Sequence, residues 1–247
     1  MADNKQLHVG KAIAVCLWVV LAFYAVQLVL SAILAGLIAL GVSFDGINQS
    51  VLNASLASLV YTAALAAVIG FPWLIMRRTT SKKELGVHEP LSWRDLLLAP
   101  PAYILYMILT ATVAYVVMQY VPAVDMTQAQ DVLFGGLGRN YEFILAFLTL
   151  VIIAPIAEEL LFRGYLFGAL MRYVPIWAAM IVTSIIFGAV HGQWNVAIDT
   201  FVLSMVMCAV RLHTGTIWAP VIIHMIKNGI AFYLLFVNPT LIPGMLG

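Results

Sequence analysis

The sequence predicts an all-α protein, a polytopic bundle of transmembrane helices, and three observations predict it. Hydrophobic residues make up 64% of the 247-residue chain and charged residues only 9%, where a soluble domain carries roughly 25% charged residues. The mean hydropathy is +1.03. Apolar runs follow one another along the chain, each near the roughly 20 residues needed to cross hydrocarbon. A chain this poor in charge cannot cover a water-facing surface, so lipid is its expected solvent. Strands are disfavoured, because an open sheet edge in lipid leaves backbone groups unpaired.

The runs place seven spans, near 12–40, 52–75, 96–121, 141–172, 175–190, 196–212 and 215–237. Lys5 and Lys11 precede the first run, which is longer than the about 7–15 residues of a signal-peptide core and so reads as a retained span. The fourth run is too long for one straight crossing and contains Pro155, which kinks a helix or divides it; division would give eight spans. Residues 1–140 read as N-terminal spans with a polar loop, and 141–247 as the helical core that carries the motifs, together one membrane domain. Cys16 and Cys208 sit in apolar runs and read as buried small hydrophobes.

Orientation follows from the basic residues. Lys5, Lys11, Arg77, Arg78, Lys82, Lys83, Arg94, Arg172 and Arg211 fall on one side of the spans. Asp45, Asp125, Asp131 and Glu142 fall on the other, with only Arg139 against the trend. The positive-inside rule then puts the N-terminus of a multi-pass cell-membrane protein in the cytoplasm. The stretch 77–94 reads as a solvated loop that fixes topology. A formal net charge of +1 argues against a nucleic-acid partner, which calls for a basic patch. Membrane lipid and a peptide or protein substrate are the expected partners; oligomeric state is not legible.

The informative residues are the polar ones inside the spans: Glu158, Glu159, Arg163, His191, Asp199, His224, Lys227 and Asn228. A charged side chain at a helix centre costs about 2.5–3.5 kcal/mol on the translocon scale, so function is the default reading and an ion-pair network its rival. Glu159 and Arg163 are i, i+4 and share a face, where they can neutralise each other. Glu158 points roughly 100° away and has no partner in its own segment. Counting from Val174 in the turn between the fourth and fifth spans, Glu158 lies 16 residues back and His191 17 residues forward. At about 1.5 Å per residue both stand about 24–26 Å from the turn and can face each other. His224 and Asn228 are again i, i+4, but His224 lies only about 13 Å from the helix start near Gly215. The two depths agree only if the four–five hairpin protrudes or the Gly215 turn sits inside the bilayer. Lys227 either snorkels or pairs with Asp199.

Such a set has a chemical use. Peptide hydrolysis needs an activated water and donors for the developing oxyanion. A glutamate with a histidine can take the proton from water, and a histidine with an asparagine amide can donate to the oxyanion. Two histidines and a carboxylate (Glu158, His191 and His224) also match the ligand types of catalytic zinc sites. The helical HExxH pattern is absent, and the cofactor question stays open between zinc and none.

These residues resemble those of the CPBP intramembrane proteases, a family that includes the type II CAAX prenyl proteases and the bacterial Abi proteins linked to bacteriocin processing and self-immunity. Its EExxxR motif is similar to Glu158-Glu159-Leu-Leu-Phe-Arg163, followed by Gly164. Its FxxxH motif is similar to Phe187-Gly-Ala-Val-His191, and its HxxxN motif to His224-Met-Ile-Lys-Asn228. Any one pattern is weak, and all three in order in successive spans are specific. The resemblance covers about 144–236. It implies an intramembrane endopeptidase in which Glu158 and His191 activate water, His224 and Asn228 stabilise the oxyanion, and Glu159 and Arg163 support the site. Whether the enzyme is a metalloprotease or a glutamate protease is not implied. The rival readings are a non-catalytic immunity or scaffold protein and an ion-relay transporter. Against the transporter, the two halves show no paired interrupted helices.

Overall fold

The computed structural model describes residues 8–77, 79–126, 128 and 137–238. Lys5, Arg78 and Asp131, used above for orientation, lie outside them. All regular structure among the described residues is helical: α1 (Val9–Ala39), α2 (Gln49–Met76), α3 (Lys82–Leu85), α4 (Trp93–Tyr120), α5 (Asn140–Leu170), α6 (Ile176–Ala189), α7 (Trp194–Thr214) and α8 (Trp218–Val237). Six of these are long and apolar enough to cross a membrane. The fifth expected span, α6, has 14 residues and is about 21 Å long, shorter than the hydrocarbon core of about 30 Å. The chain is a multi-pass membrane protein.

Pro155 does not divide the fourth span. The helix runs on through two stretches wound as π-helix, Leu148–Ile153 and Leu160–Leu166, which flank the α-helical turn Ala154–Glu159. Widened turns of this kind are rare and recur at functional sites. Here they bracket both glutamates. α5 is the central helix, packed by α2 and α8, with α4 laid against α7 and α8 and with α6 paired to α7. Most of its residues from Ala154 to Leu170 are buried, Leu161, Leu166 and Phe167 completely. Cys208 is buried, Cys16 half-buried, and both thiols are free.

The stretch 77–94 is more than a solvated loop. Lys82 and Lys83 are exposed, but the backbone beside them is packed onto the core. A β-carbon at Gly164 would lie 3.0 Å from the Leu85 carbonyl oxygen, and one at Gly168 would lie 2.6 Å from that of Glu84. Only glycine at those positions lets the two backbones approach so closely. A capping box between Ser81 and Glu84 starts the short α3, and Gly86 (φ 71°) ends it. Glu84 pairs with Arg172 at 2.7 Å. The Ile217 amide donates to the Gly86 carbonyl at 3.0 Å, and the Trp218 indole donates to the Glu89 carbonyl at 2.7 Å. Arg94 reaches the His213 carbonyl at 3.2 Å, and the His8 amide donates to the Tyr173 carbonyl at 3.2 Å. The basic segments therefore gather at one end of the bundle, where 81–89 forms a strap across α5, α7 and α8.

Candidate active site

Glu158 and Glu159 project from the same turn of α5 and meet one side chain of α8. His224 Nδ1 stands 2.8 Å from Glu159 Oε1, and its Nε2 stands 3.9 Å from Glu158 Oε2. Glu159 Oε1 also accepts from Arg163 Nη1 at 3.0 Å, the i, i+4 pair expected from spacing. Glu159 and Arg163 are completely buried, and Glu158 and His224 nearly so. The Arg163 guanidinium lies 4.1 Å from the centre of the Phe187 ring, an arrangement that stabilises a desolvated cation. An ionised carboxylate only accepts, so Nδ1 carries a proton of His224 and Nε2 is the nitrogen presented to Glu158.

The expected depth mismatch is resolved by the strap. Ile217 is bonded to Gly86, whose neighbour Leu85 rests on Gly164. The start of α8 is thus level with Gly164, and the turn after Leu170 extends beyond it. From Gly164 back to Glu158 is six residues and from Ile217 forward to His224 is seven, about 9 and 10.5 Å at 1.5 Å per residue. The hairpin of α5 and α6 extends past the α8 turn, the offset that both expected arrangements share.

His191 enters the cluster differently from the expectation that it faces Glu158 directly. It lies just past the end of α6, with Nδ1 2.7 Å from the Phe187 carbonyl. A carbonyl only accepts, so Nδ1 carries the proton and Nε2 is left with its lone pair. The Phe187 ring packs edge-on against both imidazoles, with centroids 5.0 Å from His191 and 5.9 Å from His224. The near partner of Glu158 is therefore His224, and Phe187 is the hub that joins the two histidines to Arg163. Asn228 stands one turn beyond His224, and its Nδ2 donates to the Leu150 carbonyl at 2.9 Å.

The pairing of Lys227 with Asp199 is present at 3.3 Å. Asp199 is held in turn by α4, accepting from the Tyr106 hydroxyl at 2.6 Å and the Thr110 hydroxyl at 2.8 Å. Lys227 and Asp199 neutralise each other, and the two hydroxyls satisfy the carboxylate inside the spans. Sequence reasoning missed the α4 hydroxyls and also Tyr61 of α2, which lies close enough to Glu158 to interact with it. A lone tyrosine in an apolar run carries no periodic signal, so the sequence offered no way to select it. As to zinc, among the described residues no three His, Cys, Asp or Glu side chains are grouped to hold a metal ion. Glu158, His191 and His224 do not fit a three-ligand site as they stand.

The fold and the cluster together define a polytopic helical membrane protein with a buried glutamate–histidine–arginine centre in its C-terminal half. Residues 140–230 match the family model described as Type II CAAX prenyl endopeptidase Rce1-like, and all three motifs fall inside that segment. The segment is similar to that family, in agreement with the resemblance carried by the motifs. Among curated proteins, the chain is 33% identical over 89 residues to the "Uncharacterized 24.3 kDa protein" of Escherichia coli, covering 34% of this chain and 41% of that one. It is 29% identical over 104 residues to "Putative membrane peptidase YdiL" of Bacillus subtilis (strain 168), covering 38% of this chain and 43% of that one. It is 25% identical over 185 residues to "Membrane-embedded CAAX protease MroQ" of Staphylococcus aureus (strain USA300), covering 68% and 72%. The matches to the first two span less than half of those relatives' length. No solved structure matches the chain.

Proposed function

We propose that the chain is an intramembrane endopeptidase that hydrolyses a peptide bond of a membrane-associated or lipidated substrate, with its N-terminus in the cytoplasm of a cell whose membrane it spans. The observation that carries this reading is the state of Glu158. One oxygen of each glutamate is buried without a hydrogen-bond partner, but Glu159 is committed through its other oxygen to Arg163 and His224. Glu158 holds no guanidinium, and stands 3.9 Å from the His224 nitrogen that Glu159 leaves open, so it is the carboxylate kept for chemistry.

In the reaction proposed, Glu158, with the free Nε2 of His191 as its partner, takes a proton from water as the hydroxyl attacks the scissile carbonyl carbon. The carbonyl π electrons move onto oxygen, and that oxyanion is met by His224. Collapse of the tetrahedral intermediate re-forms the carbonyl and breaks the C–N bond, while the proton returns to the departing amine. His224 meets the oxyanion through Nε2, since its Nδ1 is engaged by Glu159. Glu159 and Arg163 hold His224 in place. No step uses a metal.

The test is cleavage of two internally quenched probes by the purified chain in detergent, a farnesylated CAAX peptide and an apolar transmembrane peptide. Activity that disappears in Glu158→Ala supports the reading. Full activity of Glu158→Ala, or no activity of the unmodified chain toward either probe, counts against it. Metal analysis of the active preparation before and after chelation decides the zinc question separately.

A further inference from the structure

Pro155 lies three residues before Glu158, inside the helix that carries both glutamates. A proline there removes one backbone donor, and the carbonyl it would have served needs another partner or pays a desolvation cost. The π winding identifies that carbonyl. At the end of the stretch Leu148–Ile153 the Ala154 amide bonds to the Thr149 carbonyl, five residues back. In the same register the next bond runs from residue 155 to the carbonyl of Leu150, and residue 155 has no N–H. Ala154, which would serve Leu150 in an α-helix, is already committed to Thr149. The group that does reach Leu150 is Asn228, whose Nδ2 donates to that carbonyl at 2.9 Å.

We propose that Asn228 is a positioning residue, its side-chain amide replacing the backbone donor that Pro155 lacks and so locking α8 in register against the catalytic turn of α5. The bond ties Asn228, one turn from His224 on the same face, to a carbonyl two turns before Glu158 on the facing helix. It sets both the rotation and the height of α8. His224 then falls between the two glutamates rather than beside them. Gly229 contributes to the same fit, since a β-carbon there would meet the Val151 side chain at 3.6 Å, ordinary contact distance that leaves no gap between the helices. In lipid the bond has no competing water, and an unserved Leu150 carbonyl has no alternative partner. This proposal rests on the endopeptidase reading for its activity readout, but the pairing of residues 155 and 228 is testable without it.

The experiment is a double-mutant cycle on the full chain in detergent with Asn228→Leu and Pro155→Ala, read both as Tm and as kcat and KM on the farnesylated quenched peptide. Alanine at 155 restores an N–H to the stretch and lets the helix serve Leu150 itself. The expected result is that Asn228→Leu lowers Tm and lowers kcat on the order of 10²-fold, the scale of a small misplacement of catalytic groups. In the Pro155→Ala background the same substitution should cost little Tm, and most of the lost kcat should return. Equal penalties in the two backgrounds, in Tm as well as kcat, would overturn the proposal. So would recovery of Tm without recovery of kcat, which would make Asn228 a group that touches the substrate. If the unmodified chain cuts no probe, the endopeptidase reading fails on that result, while the Tm arm still decides whether residues 155 and 228 share one carbonyl.

Discussion

His224 is held by Glu159: Nδ1 stands 2.8 Å from Oε1, and the same oxygen accepts from Arg163 at 3.0 Å. One carboxylate oxygen thereby fixes a guanidinium and an imidazole, while the neighbouring Glu158 holds no cation so closely and stands 3.9 Å from the other nitrogen of that imidazole. Adjacent residues of identical chemistry are given different tasks by what they touch. The substitutions that follow should separate them. Glu158→Ala should remove proteolysis by at least about 10²-fold, the usual lower worth of a positioned base, with Tm nearly unchanged. Glu159→Leu should do the reverse in emphasis. It strands Arg163 without its partner in a dry interior, and breaking such a pair costs about 3–5 kcal/mol. Thermal denaturation and yield of folded protein would check this; equal losses of Tm in the two variants would refute the division of roles.

The contacts of the strap give a second prediction. A β-carbon at Gly168 would stand 2.6 Å from a backbone oxygen, a distance no flexible side chain can relieve, so α3 must lift. Overpacking of this kind costs about 1–3 kcal/mol. Gly168→Ala should therefore lower Tm and speed limited proteolysis within 77–94. Because the strap also sets the height of α8 through Gly86 and Ile217, activity should fall further than stability alone accounts for. Gly164→Ala, at 3.0 Å from its oxygen, should show the milder form of the same pattern. Proteolysis at the unmodified rate in Gly168→Ala would show that the strap does not depend on the glycine.

These two cases also show what was legible in the sequence and what was not. Long apolar runs report their own burial, so the helices and the Glu159–Arg163 pair, which share one face at helical spacing, could be read from the chain. For Lys227 the sequence leaves two readings, snorkelling and pairing with Asp199, and the structure shows the pair. Contacts between helices were not legible, because they depend on relative height. Height here is set by a polar loop seated on two glycines, and nothing in the periodicity of α5 or α8 encodes it. Counting from one turn places His191 level with Glu158 but cannot show that His224, on another helix, stands 3.9 Å from it. A proline in a long apolar run implies a kink or a break. Pro155 is a missing donor inside a widened helix that continues.

Lys227 and Asp199 form an ion pair at 3.3 Å, with about a fifth to a quarter of each side chain exposed (21% and 26%). Two hydroxyls from α4 already satisfy Asp199 Oδ1, so removing the lysine should hurt less than removing both hydroxyls. A cycle with Lys227→Met and Asp199→Asn should give a coupling of about 0.5–3 kcal/mol, the range for residues in one charged network. The double variant should be more stable than the sum of the singles implies. Additive losses in thermal or denaturant unfolding would mean that the pair is a surface contact without energetic weight.

Tyr61, from α2, interacts with Glu158. It also lines a cavity of about 340 Å³ between α1 and α2, together with Phe23, Gln27, Ser31 and Val190, the neighbour of His191. The Phe23 ring, 5.6 Å from that of Tyr61, holds the phenol in place. A hydroxyl held beside the carboxylate can orient it. Hydrogen bonds to a charged group are worth about 1.5–3 kcal/mol, so Tyr61→Phe should lower kcat on the order of 10- to 100-fold. KM should hardly change, because the ring that shapes the cavity is retained. A merely structural tyrosine would instead lose Tm and leave kcat intact in the folded fraction. Steady-state kinetics of Tyr61→Phe on the quenched peptides, set beside its melting curve, distinguishes the two. An unchanged kcat would remove α2 from the catalytic site and return Glu158 to the three motifs alone.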